Sequence, residues 1–102
     1  MKYLSNILVS GFGKGYILHQ ELIEKYNFDS NILVCNIFTP ELYIYLNKCK
    51  GIIIEHGGKL CHAAIVAREA NIPCVRIENA TKLFKNGQKI EIKENREVVI
   101  LK

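Results

Sequence analysis

The sequence predicts one α/β domain over residues 1–102, with a mixed β-sheet and packed helices. Apolar, strand-like segments alternate with helical segments in the middle of the chain, which favours βαβ units and parallel strands. Strand-like segments separated by turn residues occur at both ends, which predicts hairpins and therefore antiparallel pairs. The 102 residues are 49% hydrophobic, enough for one core, and no Pro-, Gly- or Ser-rich linker divides them.

The first half of the chain begins with strands and ends with a helix. A glycine-rich segment at 10–15 separates two short apolar segments, and the next apolar segment is continuous, as in a strand buried on both faces. Thr39 and Pro40 suit the N-cap and the first position of a helix. The predicted elements are strand 6–9, strand 16–18, helix 20–26, strand 32–35 and helix 40–48.

The second half of the chain continues the alternation and closes with a hairpin. Asn71 suits the left-handed position that ends a helix, and Pro73 prevents that helix from continuing. Asn86 and Gly87 indicate a turn before the final strands. The predicted elements are strand 51–55, helix 61–70, strand 74–77, a helical turn capped by Asn79 or Thr81, and strands 89–93 and 97–101.

The composition excludes several classes of protein. Lys and Arg number 14 against 10 Asp and Glu, and the basic residues alternate with apolar ones instead of forming a dense patch, which argues against nucleic-acid binding. The only aspartate is Asp29, which leaves little material for a carboxylate-rich Mg²⁺–nucleotide site. The segment 11–15 also lacks the spacing of a phosphate-binding loop. The chain is therefore not a complete kinase on its own.

The sequence further predicts a cytoplasmic protein with free thiols. It contains no run of about 18 apolar residues that could span a membrane, and its first residues are polar too early for a secretory signal. The four cysteines form no Cys-x-x-Cys pair, so we expect no metal site. These cysteines are Cys35, Cys49, Cys61 and Cys74.

The segment from Gly57 to His62 carries the most specific chemical signal. A buried strand leads into Gly57 and Gly58 and then into a helix whose first turn holds His62. Two glycines allow a sharp turn and close approach of a ligand, and a helix N-terminus offers unpaired N–H groups to an anion such as phosphate. A neutral imidazole at that position can attack phosphorus. From residue types alone, a histidine in the first turn of a helix more often has a structural role than a chemical one.

The segment EHGGKLCHAAIVAREANIPCV, residues 55–75, closely resembles the signature of the swivelling phosphohistidine (mobile) domain of PEP-utilising enzymes. That family includes pyruvate phosphate dikinase, phosphoenolpyruvate synthase, rifampin phosphotransferase and enzyme I of the sugar phosphotransferase system. Similar stretches at 10–15, 31–34, 39–41, 80–81 and 86–88 extend the resemblance over nearly the whole chain, with departures at Asn71, Arg76 and 93–95. The resemblance implies the swivelling β/β/α fold: a central mixed sheet, helices packed against it and a small β layer.

The resemblance also implies a role for each site residue. It makes His62 the phosphoacceptor. The phosphate-binding or supporting residues are Gly57, Gly58, Cys61, Arg68 and Glu69. On a helix Glu69 lies on the face of His62 but about 10 Å along the axis, so it is better suited to orienting the loop or a neighbouring domain than to touching the imidazole. Arg68 suits either a contact with a loop or phosphate, or a structural ion pair.

We therefore expect a phosphoryl carrier module, a component of a phosphotransferase, that is phosphorylated on His62 and acts in trans. The resemblance implies no cofactor on this chain, with Mg²⁺ and ATP or PEP bound by partner proteins. These partners are an ATP-grasp-type nucleotide-binding protein, a PEP/pyruvate-binding protein, or both. Two alternatives stay open: a non-catalytic binding or regulatory module that retains the fold, and a redox role for the Cys61 thiol at the helix N-terminus.

Overall fold

The computed structural model describes residues 1–26 and 29–101. Within this part of the chain, eight strands form one mixed sheet in the order β1-β8-β7-β3-β4-β5-β6-β2. The strands are β1 Lys2–Leu4, β2 Asn6–Val9, β3 Gly13–His19, β4 Asn31–Cys35, β5 Cys49–Ile54, β6 Cys74–Arg76, β7 Lys89–Ile92 and β8 Glu97–Ile100. The α-helices are α1 His62–Ala70 and α2 Ala80–Leu83, and the 3-10 segments are Gln20–Leu22 and Pro40–Lys48.

The centre of the sheet is parallel and its flanks are antiparallel. Strands β3, β4, β5 and β6 pair in parallel, as the alternating sequence pattern predicts. On one side β7 pairs antiparallel with β3, β8 with β7, and β1 with β8. On the other side β2 pairs antiparallel with β6. The expected mixed α/β architecture is confirmed.

Ser5 brings the two edges of the sheet together. It is the only residue between β1 and β2, which form opposite edges, and one residue spans no more than about 7 Å between its neighbours. The sheet therefore curls until its edges meet. Buried Ser5 is held by Arg96 in the turn between β7 and β8: its N–H and Oγ donate to the Arg96 carbonyl, and Arg96 Nε donates to the Ser5 carbonyl.

The curled sheet separates two hydrophobic cores. On its outer face, side chains such as Leu33 and Ile54 pack against α1 and the 3-10 segment Pro40–Lys48. On its inner face, the central strands pack against β7, β8 and α2, with Phe84 at 1% exposure in this second core. Strands β7, β8 and β1 thus form the small β layer implied by the resemblance.

Helix α1 forms where the sequence predicts it. Its buried face consists of small or branched residues (Ala63, Ala64, Val66, Ala67), which allow the helix to pack closely against the sheet. Asn71 closes the helix at φ 62°, in the left-handed region that asparagine tolerates, so this departure from glycine leaves the geometry intact.

Two predictions for the first half of the chain are wrong. The segments 6–9 and 16–18 form no hairpin, because β2 pairs with β6 at one edge while β3 lies between β4 and β7. The glycine-rich segment is partly extended, since Gly13 and Gly15 lie within β3. The predicted helix 20–26 is a single 3-10 turn, Gln20–Leu22, followed by turn residues.

The predicted helix 40–48 has the expected bounds but a 3-10 conformation. Thr39 precedes it with extended backbone and no side-chain capping bond, and Pro40 occupies its first position. Its consecutive residues Tyr43, Ile44 and Tyr45 are aromatic or β-branched and favour the α-helix weakly. In the described part of the chain, no helix has the length and apolar character needed to cross a bilayer.

Candidate functional site

The candidate site lies at the carboxyl end of β5, where parallel α/β sheets commonly bind ligands. The loop that follows β5 first runs beside the end of β4, where the N–H groups of Glu55 and His56 donate to the carbonyl of Asn36. It then leads into α1. The loop thus places His62 at the first position of that helix.

Gly57 and Gly58 have different structural requirements. Gly57 has φ +138°, and a Cβ there would lie 2.9 Å from Cys61 Sγ and from Ile54 Cδ1. The backbone conformation and the close packing of the loop therefore both require glycine at position 57. A Cβ on Gly58 would meet no atom within 4 Å. The exposed space at Gly58 leaves the approach to the start of α1 open.

The His62 side chain is exposed and is bordered by two aromatic rings. Its ring centroid lies 5.3 Å from that of Phe38 and 6.0 Å from that of Tyr43, at interplanar angles of 80° and 52°. Phe38 and Tyr43 contact each other edge to face at 6.1 Å. A pocket of about 240 Å³ adjoins His62, and its lining includes Phe38, His56 and Gly57.

Two arginines donate hydrogen bonds to backbone carbonyls of the loop. Arg68 Nη2 donates to the Lys59 carbonyl at 3.1 Å, and Arg76 Nη1 donates to the Gly57 carbonyl at 3.3 Å. Of the roles left open by the sequence for Arg68, the contact with the loop is the one present. Arg76, a departure from the family pattern, makes a comparable contact that the sequence analysis did not anticipate.

Phosphate-binding capacity at this site resides in the first turn of α1. Cys61 is the N-cap residue, with extended backbone, and makes no side-chain capping bond. The backbone N–H groups of His62, Ala63 and Ala64 therefore keep their donor capacity next to the imidazole, at the positive end of the helix dipole. This arrangement suits an anion beside His62.

The other three cysteines are core residues. Burial raises the pKa of the Cys35 thiol to about 12 and also raises the pKa values of Cys49 and Cys74. Because thiolate is the reactive form, these thiols are inert at neutral pH. Cys61 differs in being only partly buried.

Glu55 links the site loop to α2. Its Oε2 accepts hydrogen bonds from the Thr81 N–H at 2.8 Å and from Thr81 Oγ1 at 2.6 Å. Partial desolvation opposes ionisation of this carboxyl, but the two bonds from Thr81 outweigh it, so the pKa of Glu55 is lowered from its ordinary value of 4.5. Ionised Glu55 thus fixes the end of β5.

Thr81→Val is expected to lower the free energy of unfolding by about 1 kcal/mol at pH 7, because it removes one hydrogen bond to a carboxylate. A group whose pKa is lower in the folded state stabilises the fold above its unfolded pKa, and this stabilisation is lost as pH falls through the folded pKa. The difference from wild type should therefore shrink as the pH falls below 4.5, the ordinary pKa of this carboxyl. Urea denaturation of both proteins at pH 7 and pH 3 measures this difference in the free energy of unfolding. An equal difference at both pH values would contradict the prediction.

Sequence reasoning missed two residues of this site. No pattern in the sequence assigns Phe38 or Tyr43 to the site, yet both rings border His62. Glu69, predicted to orient the loop or a neighbouring domain, instead has its Oε1 3.4 Å from the Tyr43 hydroxyl. The aromatic spacing was visible in the sequence, but the packing of the 3-10 segment against α1 was not.

Among residues 1–26 and 29–101, no three His, Cys, Asp or Glu side chains are grouped so that they could hold a metal ion. The site itself combines the exposed imidazole of His62, the first turn of α1 without a side-chain cap, and an open glycine loop. These are the parts needed to carry an anionic group on a nitrogen nucleophile.

The chain belongs to the family described as PEP-utilising enzyme, mobile domain, whose model matches residues 28–100. It is 44% identical over 70 residues to a probable phosphoenolpyruvate synthase of Methanothermobacter thermautotrophicus, covering 68% of this chain and 10% of that protein. It is 40% identical over 65 residues to the rifampicin phosphotransferase of Bacillus subtilis, covering 63% of this chain and 8% of that protein. The chain thus spans a tenth or less of the length of these relatives.

The fold also occurs in proteins of distant sequence. The solution structure of a UPF0107 protein aligns with a TM-score of 0.72 and 16% identity over 100% of both chains. This likeness concerns the fold alone. The family match and the phosphotransferase relatives together identify a module of the phosphotransfer class.

Proposed function

We propose that the chain is a phosphoryl carrier whose acceptor is His62. The phosphoryl group passes between a nucleotide-binding site and a PEP- or pyruvate-binding site, both on partner proteins that act on the chain in trans. The observation that carries this proposal is the exposed imidazole of His62 at the first position of α1, a helix whose first turn receives no capping bond from the Cys61 side chain. Family membership supports the same reaction class.

The transfer step requires only one nucleophile from this chain. A neutral ring nitrogen of His62 attacks the phosphorus of the donor, and a P–N bond forms while the bond from phosphorus to the leaving oxygen breaks. The leaving group is enolpyruvate from PEP or a nucleotide phosphate from ATP. The bridging electron pair stays on the leaving oxygen, and the reverse attack by an acceptor oxygen regenerates the imidazole. In this proposal the first-turn N–H groups of α1 bind the phosphoryl oxygens.

In this proposal residues of the chain position the phosphoryl group, and the partners supply the metal ion and the nucleotide. Gly58 leaves room for a donor at the loop, while Arg68 and Arg76 fix the loop carbonyls. Mg²⁺ and the nucleotide belong to the partner in this proposal. Basic residues near the loop, such as Lys59, add positive charge that favours an anionic donor.

Intact-mass analysis tests the proposal. The purified chain is incubated with PEP or with Mg²⁺–ATP in an extract of the cells that produce it, then isolated again at alkaline pH. We expect the addition of one phosphoryl group that is lost in acid, and fragmentation should place it on His62. A stable complex with a partner but no labelling from either donor would instead support the non-catalytic binding module.

A further inference from the structure

We infer that Tyr43 and Glu69 are positioning residues for His62, with Glu69 acting through the Tyr43 hydroxyl. This inference rests on the proposed phosphoryl transfer and adds to it a mechanism for orienting the nucleophile. Nothing in the sequence pattern links Tyr43 to the site. The link comes from the 3-10 segment Pro40–Lys48, which packs on the outer face of the sheet together with α1.

An exposed histidine needs restraint to act as an efficient nucleophile. Its imidazole can otherwise adopt several rotamers, most of which point the nitrogen away from a donor. Here Phe38, at 7% exposure, anchors one side of the imidazole from the core. Tyr43, at 47% exposure, borders the imidazole from the surface. The two rings restrict the imidazole and leave its remaining side free for the donor.

Tyr43 needs a restraint of its own, because it is half-exposed. Its hydroxyl lies 3.4 Å from Glu69 Oε1. Glu69 is seven residues after His62 in α1, on the same helix face and about 10 Å along the axis, too far to touch the imidazole itself. Tyr43, from the 3-10 segment, therefore contacts both His62 in the first turn of α1 and Glu69 in its last turn.

The test combines a spectroscopic readout with a rate. In wild type we expect the imidazole proton resonances of His62 to be displaced from random-coil values by the neighbouring rings, and those of exposed His56 to lie near them. Tyr43→Leu should move the His62 resonances toward random-coil values and slow labelling of His62 about tenfold. Tyr43→Phe keeps the ring and should recover most of the rate, remaining about two- to threefold slow.

Glu69 is tested by its dependence on Tyr43. Glu69→Ala should slow labelling about two- to threefold in wild type and cause no further loss in Tyr43→Phe, because both substitutions remove the same contact. Ile44→Ala is the matched control: Ile44 belongs to the same 3-10 segment and is 75% exposed. It should leave both the His62 resonances and the rate as in wild type.

The outcomes separate this inference from the proposed function. Labelling of Tyr43→Leu at the wild-type rate, or His62 resonances that do not respond to Tyr43, would overturn the positioning role while leaving the carrier function intact. Additive effects of Glu69→Ala and Tyr43→Phe would overturn the link to Glu69. Absence of labelling in wild type would overturn the proposed function and, with it, the positioning of that transfer.

Discussion

Replacement of His62 by glutamine is expected to abolish phosphoryl labelling completely. Glutamine has similar size and polarity, but its amide nitrogen carries no lone pair able to attack phosphorus. The side chain at 62 is exposed, so the free energy of unfolding should change by no more than about 0.5 kcal/mol. Loss of labelling with unchanged thermal stability therefore identifies the nucleophile rather than a folding defect.

His56→Gln provides the matched control. His56 is also exposed, lies in the loop that leads to α1, and lines the same pocket as His62. Labelling by PEP or Mg²⁺–ATP in cell extract should persist in His56→Gln and be absent in His62→Gln. Labelling of His62→Gln at the wild-type level would exclude His62 as the acceptor.

The strongest sequence predictions concern elements specified by neighbouring residues. The helix from His62 to Ala70 and its left-handed end at Asn71 follow from periodicity and from a following proline. The closing hairpin also forms as predicted, with β7 antiparallel to β8. In each case the residues that determine the element are close in sequence, so a local pattern contains the information.

Long-range pairing explains the predictions that failed. Strand β2 finds its partner β6 almost 70 residues later, and only Ser5 separates it from a strand at the opposite edge. No local pattern distinguishes this arrangement from a hairpin. The position of Tyr43 was unpredictable for the same reason. It lies beside His62 because the 3-10 segment Pro40–Lys48 and α1 pack on the same face of the sheet.

Gly13→Ala is expected to be the most destabilising single-methyl change at the glycine-rich segment. Strand β4 begins opposite Tyr16, so the first residues of β3 extend beyond it and approach the start of β5. A Cβ on Gly13 would lie 2.2 Å from the Lys50 carbonyl oxygen and 3.1 Å from Pro73 Cγ. The nearest atom belongs to the backbone of the sheet, so no side-chain rotation relieves the contact.

The resulting shift of β3 or β5 should cost about 3–4 kcal/mol, or a fall in melting temperature of roughly 12–25 °C for a domain of this size. Thermal unfolding followed by circular dichroism measures it. Gly58→Ala is the matched control, because its Cβ meets no atom within 4 Å, and its melting temperature should stay within about 2 °C of wild type. Equal melting temperatures for the two variants would show that β3 does not require a glycine at its start. A much lower melting temperature for Gly13→Ala than for Gly58→Ala would show that close packing of the sheet requires glycine at position 13. A nucleotide-binding role would then not be needed to account for this glycine.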